Sequence, residues 1–257
     1  MSLISLFKRF NIDSECKDVF LEEGLISAKV PLALAKSWQR SFDNRIDPRI
    51  EAAPVAKRDE RKEFDHVLLK IAQPFFRYFS NLLDADESVL VLSNSSGIIL
   101  HTEVSKSIVQ ARKMAERHNL LVNANWSEEK VGTNAIGTAI ADRTNVLISG
   151  PQHYSYAWHP YSCAASPIFN PKTKEVIGAV NISSFYNKLH IHSLGWVSTL
   201  AKLIEKEFST YWDRDNREIK KNKKVFPVFN CQDSGSTPAI GASSAFLASI
   251  EKGRKAA

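Results

Sequence analysis

The sequence predicts an α+β fold built on a mainly antiparallel sheet. Two hairpin signals lie in the middle of the chain, and stretches with apolar residues at three- and four-residue spacing flank them on both sides. The resulting order of helix, hairpin, helices, strands and helix lacks the regular strand–helix alternation of a parallel sheet.

The N-terminal third reads as helical. Pro31 suits the first turn of a helix carrying Leu32, Leu34, Ala35 and Trp38, and Asp47-Pro48 marks a turn. A second helical stretch places Phe64, Val67, Leu68, Ile71, Phe75, Phe76 and Phe79 along one stripe, with a kink or break expected at Pro74. The first hairpin joins Ser88–Ser93 to Ile98–Leu100 through Asn94-Ser-Ser-Gly97, and residues 104–120 follow as a helix. Asn145–Ser149 and Ser162–Phe169 read as strands, and Asn170-Pro171 opens the turn that leads into Glu175–Ile182. From Ser193 to about Lys221 a long helix carries the stripe Trp196, Leu200, Leu203, Ile204, Phe208 and Tyr211, expected to serve as core and as a dimer seam. Beyond Lys224 the chain is linker-like, with a short amphipathic helix from Ser243 to Ala257.

Composition narrows the class. Of 257 residues, 44% are hydrophobic and 24% charged, as in an ordinary globular protein, and no run approaches the roughly eighteen apolar residues of a membrane span. The apolar start MSLISLFKRF is too short for a signal peptide. Cys16, Cys163 and Cys231 are unpaired in spacing, which argues against a disulfide framework and for the cytoplasm. The net charge of +6 is partly local, with Arg214, Arg217, Lys220, Lys221, Lys223 and Lys224 close together. Such a run reads as a solvated helix end or linker, and no helix-turn-helix accompanies it.

Most catalytic chemistry fails on inspection. Gly132-Thr-Asn-Ala-Ile-Gly-Thr138 has the glycine spacing of a phosphate-binding loop, but Thr138 stands where its lysine is required. His153, His159 and Cys163, or His190 and His192, match no familiar metal spacing. Cys163 sits among Ala164, Ala165 and Ile168 on a packed strand, where a thiol is usually inert, with redox sensing as the alternative. No metal, cofactor or catalytic residue is expected. What remains is a concentration of Trp126, His153, Tyr154, Tyr156, Trp158, His159 and Tyr161, which either wall a small-molecule pocket or cap the sheet's core.

Several runs then occur in a telling order: Ser37-Trp-Gln-Arg-Ser41 before Asp47-Pro48, Trp126-Ser-Glu128, Gly132-Thr-Asn-Ala-Ile-Gly-Thr-Ala139, Gly150-Pro-Gln-His153, Cys163-Ala-Ala-Ser-Pro-Ile168 and Val176-Ile-Gly-Ala-Val180. Together they resemble the GAF sensor region of acetoin catabolism regulator-like, sigma-54-dependent transcription activators, over about residues 30–190. The family often has Glu where Gln152 stands and Asp near Asn181, so the polar groups matched on a ligand would differ here. Ala239–Phe246 resembles the lead-in to the AAA+ domain of those activators.

The resemblance implies a GAF-type antiparallel sheet flanked by helices, after an N-terminal helical segment over 1–83. The sensor domain itself would span 84–192, a signalling and dimerisation helix 193–221, and a linker with the start of a truncated AAA+ domain 222–257. It implies a non-enzymatic, cytoplasmic regulatory module that binds a small-molecule effector and relays to a C-terminal output, the alternative being a ligand-free dimerisation or interaction module; the Trp196–Tyr211 stripe predicts a homodimer. DNA and sigma-54 polymerase would be reached only through further domains. The residues expected at the ligand are Trp126, His153, Tyr154, Cys163 and Asn181; Gly132 and Gly137 are expected to shape a turn.

Overall fold

The computed structural model describes residues 14–57, 64–83, 87–104, 109–186 and 192–223. The expectations for the apolar N-terminus, the linker and the last short helix fall outside these residues. The described residues up to Arg214 form one compact unit; of the second unit, residues 215–223 are described and are helical.

The elements are α1 (Ser14–Glu23), α2 (Leu32–Asp43), α3 (Asp65–Leu83), β1 (Val89–Asn94), β2 (Ile99–Val104), α4 (Val109–Arg117), α5 (Glu128–Val131), α6 (Ala135–Asp142), β3 (Val146–Ser149), β4 (Tyr161–Phe169), β5 (Val176–Phe185) and α7 (His192–Lys223). Two 3-10 turns, Gly150–Gln152 and Tyr156–Trp158, lie between β3 and β4. The five strands form one antiparallel sheet in the order β2-β1-β5-β4-β3, as the α+β expectation requires.

Local chemistry sets the boundaries. At the first hairpin Asn94 Oδ1 accepts from the Ser96 and Ile98 amides, and Gly97 takes a φ of +77°, where a Cβ would lie 2.6 Å from the Ser127 nitrogen. At the second, Asn170 Oδ1 accepts from the Lys172 amide. α4 is shorter than expected because Asn119 enters the left-handed region, and the Leu120 amide turns back to the Ala115 carbonyl. α3 runs unbroken through Pro74, since its buried stripe of Leu68, Ile71, Ala72 and Phe76 outweighs the hydrogen bond that proline forfeits. Pro167 is tolerated in β4 because β3 pairs only with Ser162–Ala165, leaving the strand one neighbour at that point.

The alternation of side chains along each strand splits the core into two layers. Leu90, Leu92, Leu100, Ala164, Ile168, Val180 and Ile182 face α3 and α7, meeting Val197, Leu200, Ala201, Ile204 and Phe208. Val89, Val91 and Ile99 face the other way, toward Met114, Trp126, Ile136 and Trp158. The α7 stripe is therefore divided. Leu200, Ile204 and Phe208 are core, whereas Trp196 and Leu203 remain 38% and 37% exposed. α1 and α2 share a third cluster with α6 and the sheet, built on Phe20, Leu34, Trp38, Ala139, Ile148 and Tyr154.

Candidate functional site

The sequence runs singled out above converge first on a structural clasp. Glu128, at the start of α5, is buried, and its Oε1 accepts from Ser37 Oγ and Thr138 Oγ1, each at 2.5 Å. Arg40 closes the carboxylate in a fork, Nε to Oε2 at 2.5 Å and Nη2 to Oε1 at 3.0 Å, and Nη2 also meets Asp142 at 2.9 Å. The hydrogen bonds to Glu128 hold the guanidinium's pKa above its usual value despite partial burial. Ser41 and Thr133 complete the set at 3.1 Å. These residues tie α2 to α5 and α6.

The Gly132–Ala139 run is the other half of that clasp. Gly132 has a φ of +74°, and a Cβ there would strike the Tyr154 ring. Asn134 caps α6, its Oδ1 accepting from the Gly137 amide at 3.0 Å while its Nδ2 donates to the Trp126 carbonyl. Gly137 lies inside α6 rather than in a turn. Its missing Cβ would sit 2.6 Å from the Glu128 nitrogen, so it permits close packing of α6 on α5. Glycine spacing that mimics a phosphate loop is here a helix-packing device.

Beside the clasp, on the face of the sheet opposite α7, lies a cavity of about 30 Å3. Its walls come from Met114 of α4, His118 and Leu120 just beyond it, Trp126, the α6 entry at Asn134–Ile136, the segment carrying His153 and Trp158, and Tyr161, Cys163, Asn181 and Ser183 of β4 and β5. Four of the five expected ligand residues meet here: Trp126, His153, Cys163 and Asn181. Tyr154 does not. Its ring packs under Gly132 and into the Trp38 cluster. Gln152 likewise turns away, its Oε1 accepting from the Ser149 amide at 2.9 Å.

The polar lining is ordered and uncharged. His118 Nδ1 faces the Glu51 carbonyl at 2.7 Å and must carry the proton, which makes Nε2 the acceptor for the Tyr161 hydroxyl at 3.0 Å. Burial lowers the pKa of His118 and pushes that of His153 down to about 3, so both rings are neutral at pH 7. His153 Nδ1 donates to the Gly150 carbonyl at 3.1 Å, leaving Nε2 as a bare acceptor. Burial drives the Cys163 thiol up to about 12, too high for a nucleophile at neutral pH. Ser183 Oγ donates to Cys163 Sγ at 3.1 Å and accepts from Asn181 Nδ2 at 2.9 Å. Asn181 Oδ1 and Trp158 Nε1 are buried without a hydrogen-bond partner among the described residues. No group of three or more His, Cys, Asp or Glu suited to a metal occurs among the described residues.

Sequence reasoning passed over His118, Asn134 and Ser183. Only tertiary contact gathers them, and no spacing in the chain signals it. Trp158 and Tyr161 stood in the aromatic concentration; Tyr156 and His159 from the same group lie outside the cavity, next to Lys17.

Comparison with known proteins agrees with this architecture. The chain is 29% identical over 226 residues to the acetoin dehydrogenase operon transcriptional activator AcoR of Bacillus subtilis (strain 168), covering 86% of this chain and 36% of that protein. It is 27% identical over 169 residues to the propane 2-monooxygenase operon transcriptional activator MimR of Mycolicibacterium smegmatis, covering 65% of this chain and 28% of that one. It therefore spans about a third of the length of these transcriptional regulators. In fold it resembles the crystal structure of the E. coli DhaR(N)–DhaL complex, with a TM-score of 0.63 at 15% identity over 78% of this chain and 69% of that one. No helix among the described residues is long and apolar enough to cross a membrane. The family described as MimR, N-terminal domain, matches residues 13–191, and the chain belongs to it.

Proposed function

We propose that this chain is the sensor region of a transcription activator, and that a small uncharged molecule carrying both a hydrogen-bond acceptor and a hydroxyl binds in the cavity beside β4 and β5. The supporting observation is the pair of orphaned polar atoms on its walls, the donor Trp158 Nε1 and the acceptor Asn181 Oδ1. Buried polar groups are ordinarily satisfied, and leaving one unmade costs about 1–3 kcal/mol. His153 Nε2 offers a second acceptor. Among the described residues no Asp, Glu, Lys or Arg lines the cavity, so a charged ligand would lose its hydration without a counter-charge.

At about 30 Å3 the cavity admits a water or two, since one water needs roughly 10–15 Å3. Binding therefore requires a wall to move, which makes ligand occupancy a shift between two arrangements. In a full-length activator that shift would govern an ATPase output acting on DNA-bound sigma-54 polymerase, through domains beyond this region. The protein is a regulator, not an enzyme, and works in the cytoplasm.

Isothermal titration against acetoin, other hydroxyketones and short diols is the direct test, with heat expected from at least one and none from small ketones that lack the hydroxyl. Asn181→Leu should abolish that heat while changing stability by no more than about 1 kcal/mol, because removal of the unpaired Oδ1 offsets the lost hydrogen bond from Nδ2 to Ser183 Oγ. Silence from the whole panel on folded protein would favour a second reading, a ligand-free dimerisation module. That reading draws on α7, where Trp196 and Leu203 are exposed seven residues apart. Both readings include a homodimer through this face. Light scattering should return twice the chain mass at tens of micromolar, and Trp196→Glu with Leu203→Glu should halve it.

A further inference from the structure

The cavity and α7 lie on opposite faces of the sheet, so the elements that back the cavity wall directly are others. His153 and Trp158 reach the cavity from the segment 150–160. The outer side of that segment is held by the N-terminal part of the chain. Trp38 Nε1 donates to the Gln152 carbonyl at 2.8 Å, and the Tyr156 amide donates to the Pro48 carbonyl at 2.9 Å. The Tyr156 hydroxyl donates to Asp18 at 2.7 Å.

At the centre of this contact is Lys17 of α1, fully buried. Its Nζ donates to the carbonyls of His153 and Tyr154, each at 3.2 Å, and meets His159 Nε2 at 2.5 Å. The Tyr156 ring covers it at 3.9 Å. An ammonium has three donors, and three acceptors plus one aromatic face, all from residues 153–159, match it fully. Burial pushes the amine down to about 7, with Asp18 pulling the other way. α1 itself is ten residues long, too short to persist alone in water. It docks at two points: Phe20 stacks on Trp38 of α2, with Cys16 and Leu21 partly buried beside it, and Lys17 is held by the wall segment. Where the wall segment stands thus decides the polar half of its docking.

We propose that α1 is the detachable output strap of the cavity: entry of a ligand drives the His153–Trp158 wall outward, opens the cage of acceptors around Lys17, and releases α1. The inference rests on the cavity being the sensing site and names how that site is coupled. A buried amine cannot remain in place once its acceptors part, and the same displacement pulls on Trp38, which donates to the Gln152 carbonyl and carries Phe20, so a wall movement too small to unfold the sheet loosens both anchors of the helix. By reciprocity, loosening α1 makes the wall easier to move.

Hydrogen exchange on the whole chain tests this without any ligand. Cys163→Phe overfills a cavity that has no room for a ring and so stands in for occupancy. Exchange in α1 should rise at least about tenfold, the range of ordinary allosteric coupling, while α3 and α7 keep wild-type protection. Lys17→Met should raise exchange in α1 and in residues 150–159 together. Unchanged α1 exchange in Cys163→Phe with α3 and α7 protected, or a loss confined to α1 in Lys17→Met, would overturn the strap. Should Cys163→Phe lose protection throughout, the Lys17→Met pattern alone decides. Failure of the metabolite titration leaves these outcomes untouched, so the two ideas fall separately.

Discussion

Arg40→Met is expected to lower the stability of the compact unit by about 3 kcal/mol, the low end for breaking a buried ion pair from one side. The reason is that Glu128 remains buried with only the Ser37 and Thr138 hydroxyls to hold its charge. The lower end applies because the Arg40 side chain is about a third exposed, at 35%, and water screens part of its contribution. Urea denaturation read as a shift in midpoint at constant slope measures it. Pairing Arg40→Met with Glu128→Gln should recover part of the loss, since the uncompensated charge disappears with its partner. A midpoint within experimental error of wild type for Arg40→Met would mean that the clasp is ornamental to stability.

Acid should destabilise the fold as soon as the pH falls below 6.5. His153 is fully enclosed and its pKa falls from 6.5 to about 3, chiefly through desolvation, with the Gly150 carbonyl pulling the other way. The unfolded chain therefore binds a proton that the folded chain refuses between those two values. Stability is then complete above pH 6.5 and drains away as the pH falls toward 3, by about 5 kcal/mol at the limit, from 1.36 kcal/mol per pKa unit. His159, lowered to about 4 by burial and by Lys17, acts in the same direction with a smaller share because it is partly exposed. Thermal unfolding from pH 7.5 to 4.5 should show a steep fall in the midpoint. His153→Asn, which keeps a donor toward Gly150 but cannot titrate, should flatten the curve. An equal slope in both proteins would remove His153 as the cause.

Which parts of this were legible in the chain follows from range. The hairpins were readable because Asn94, Gly97 and Asn170 act within a few residues of themselves, and because strand periodicity is local. Pro74 misled for the complementary reason. Its cost is local, but the stripe that overrides it is repaid by the distant residues Val180, Ile182 and Ile204. Tyr154 and Trp158 show the limit most clearly. Both belong to an irregular segment with no period, so nothing in the sequence indicates which ring turns inward. One lies under Gly132 and the other lines the cavity.

By itself, then, the sequence determined the α+β class, the strands and their turns, the membership in a group of transcriptional regulators, and four of the residues that surround the cavity. Only the tertiary structure decided that Glu128 and Arg40, 88 residues apart, form one clasp, and that Gly137 serves packing. It also decided that Lys17 stands behind the cavity wall and that α7 lies across the sheet from it. The physical reason is the pleat. Alternation assigns Asn181 and Val180 to opposite faces of β5 from sequence alone, but which helices cover each face depends on how apolar surface is shared over the whole chain.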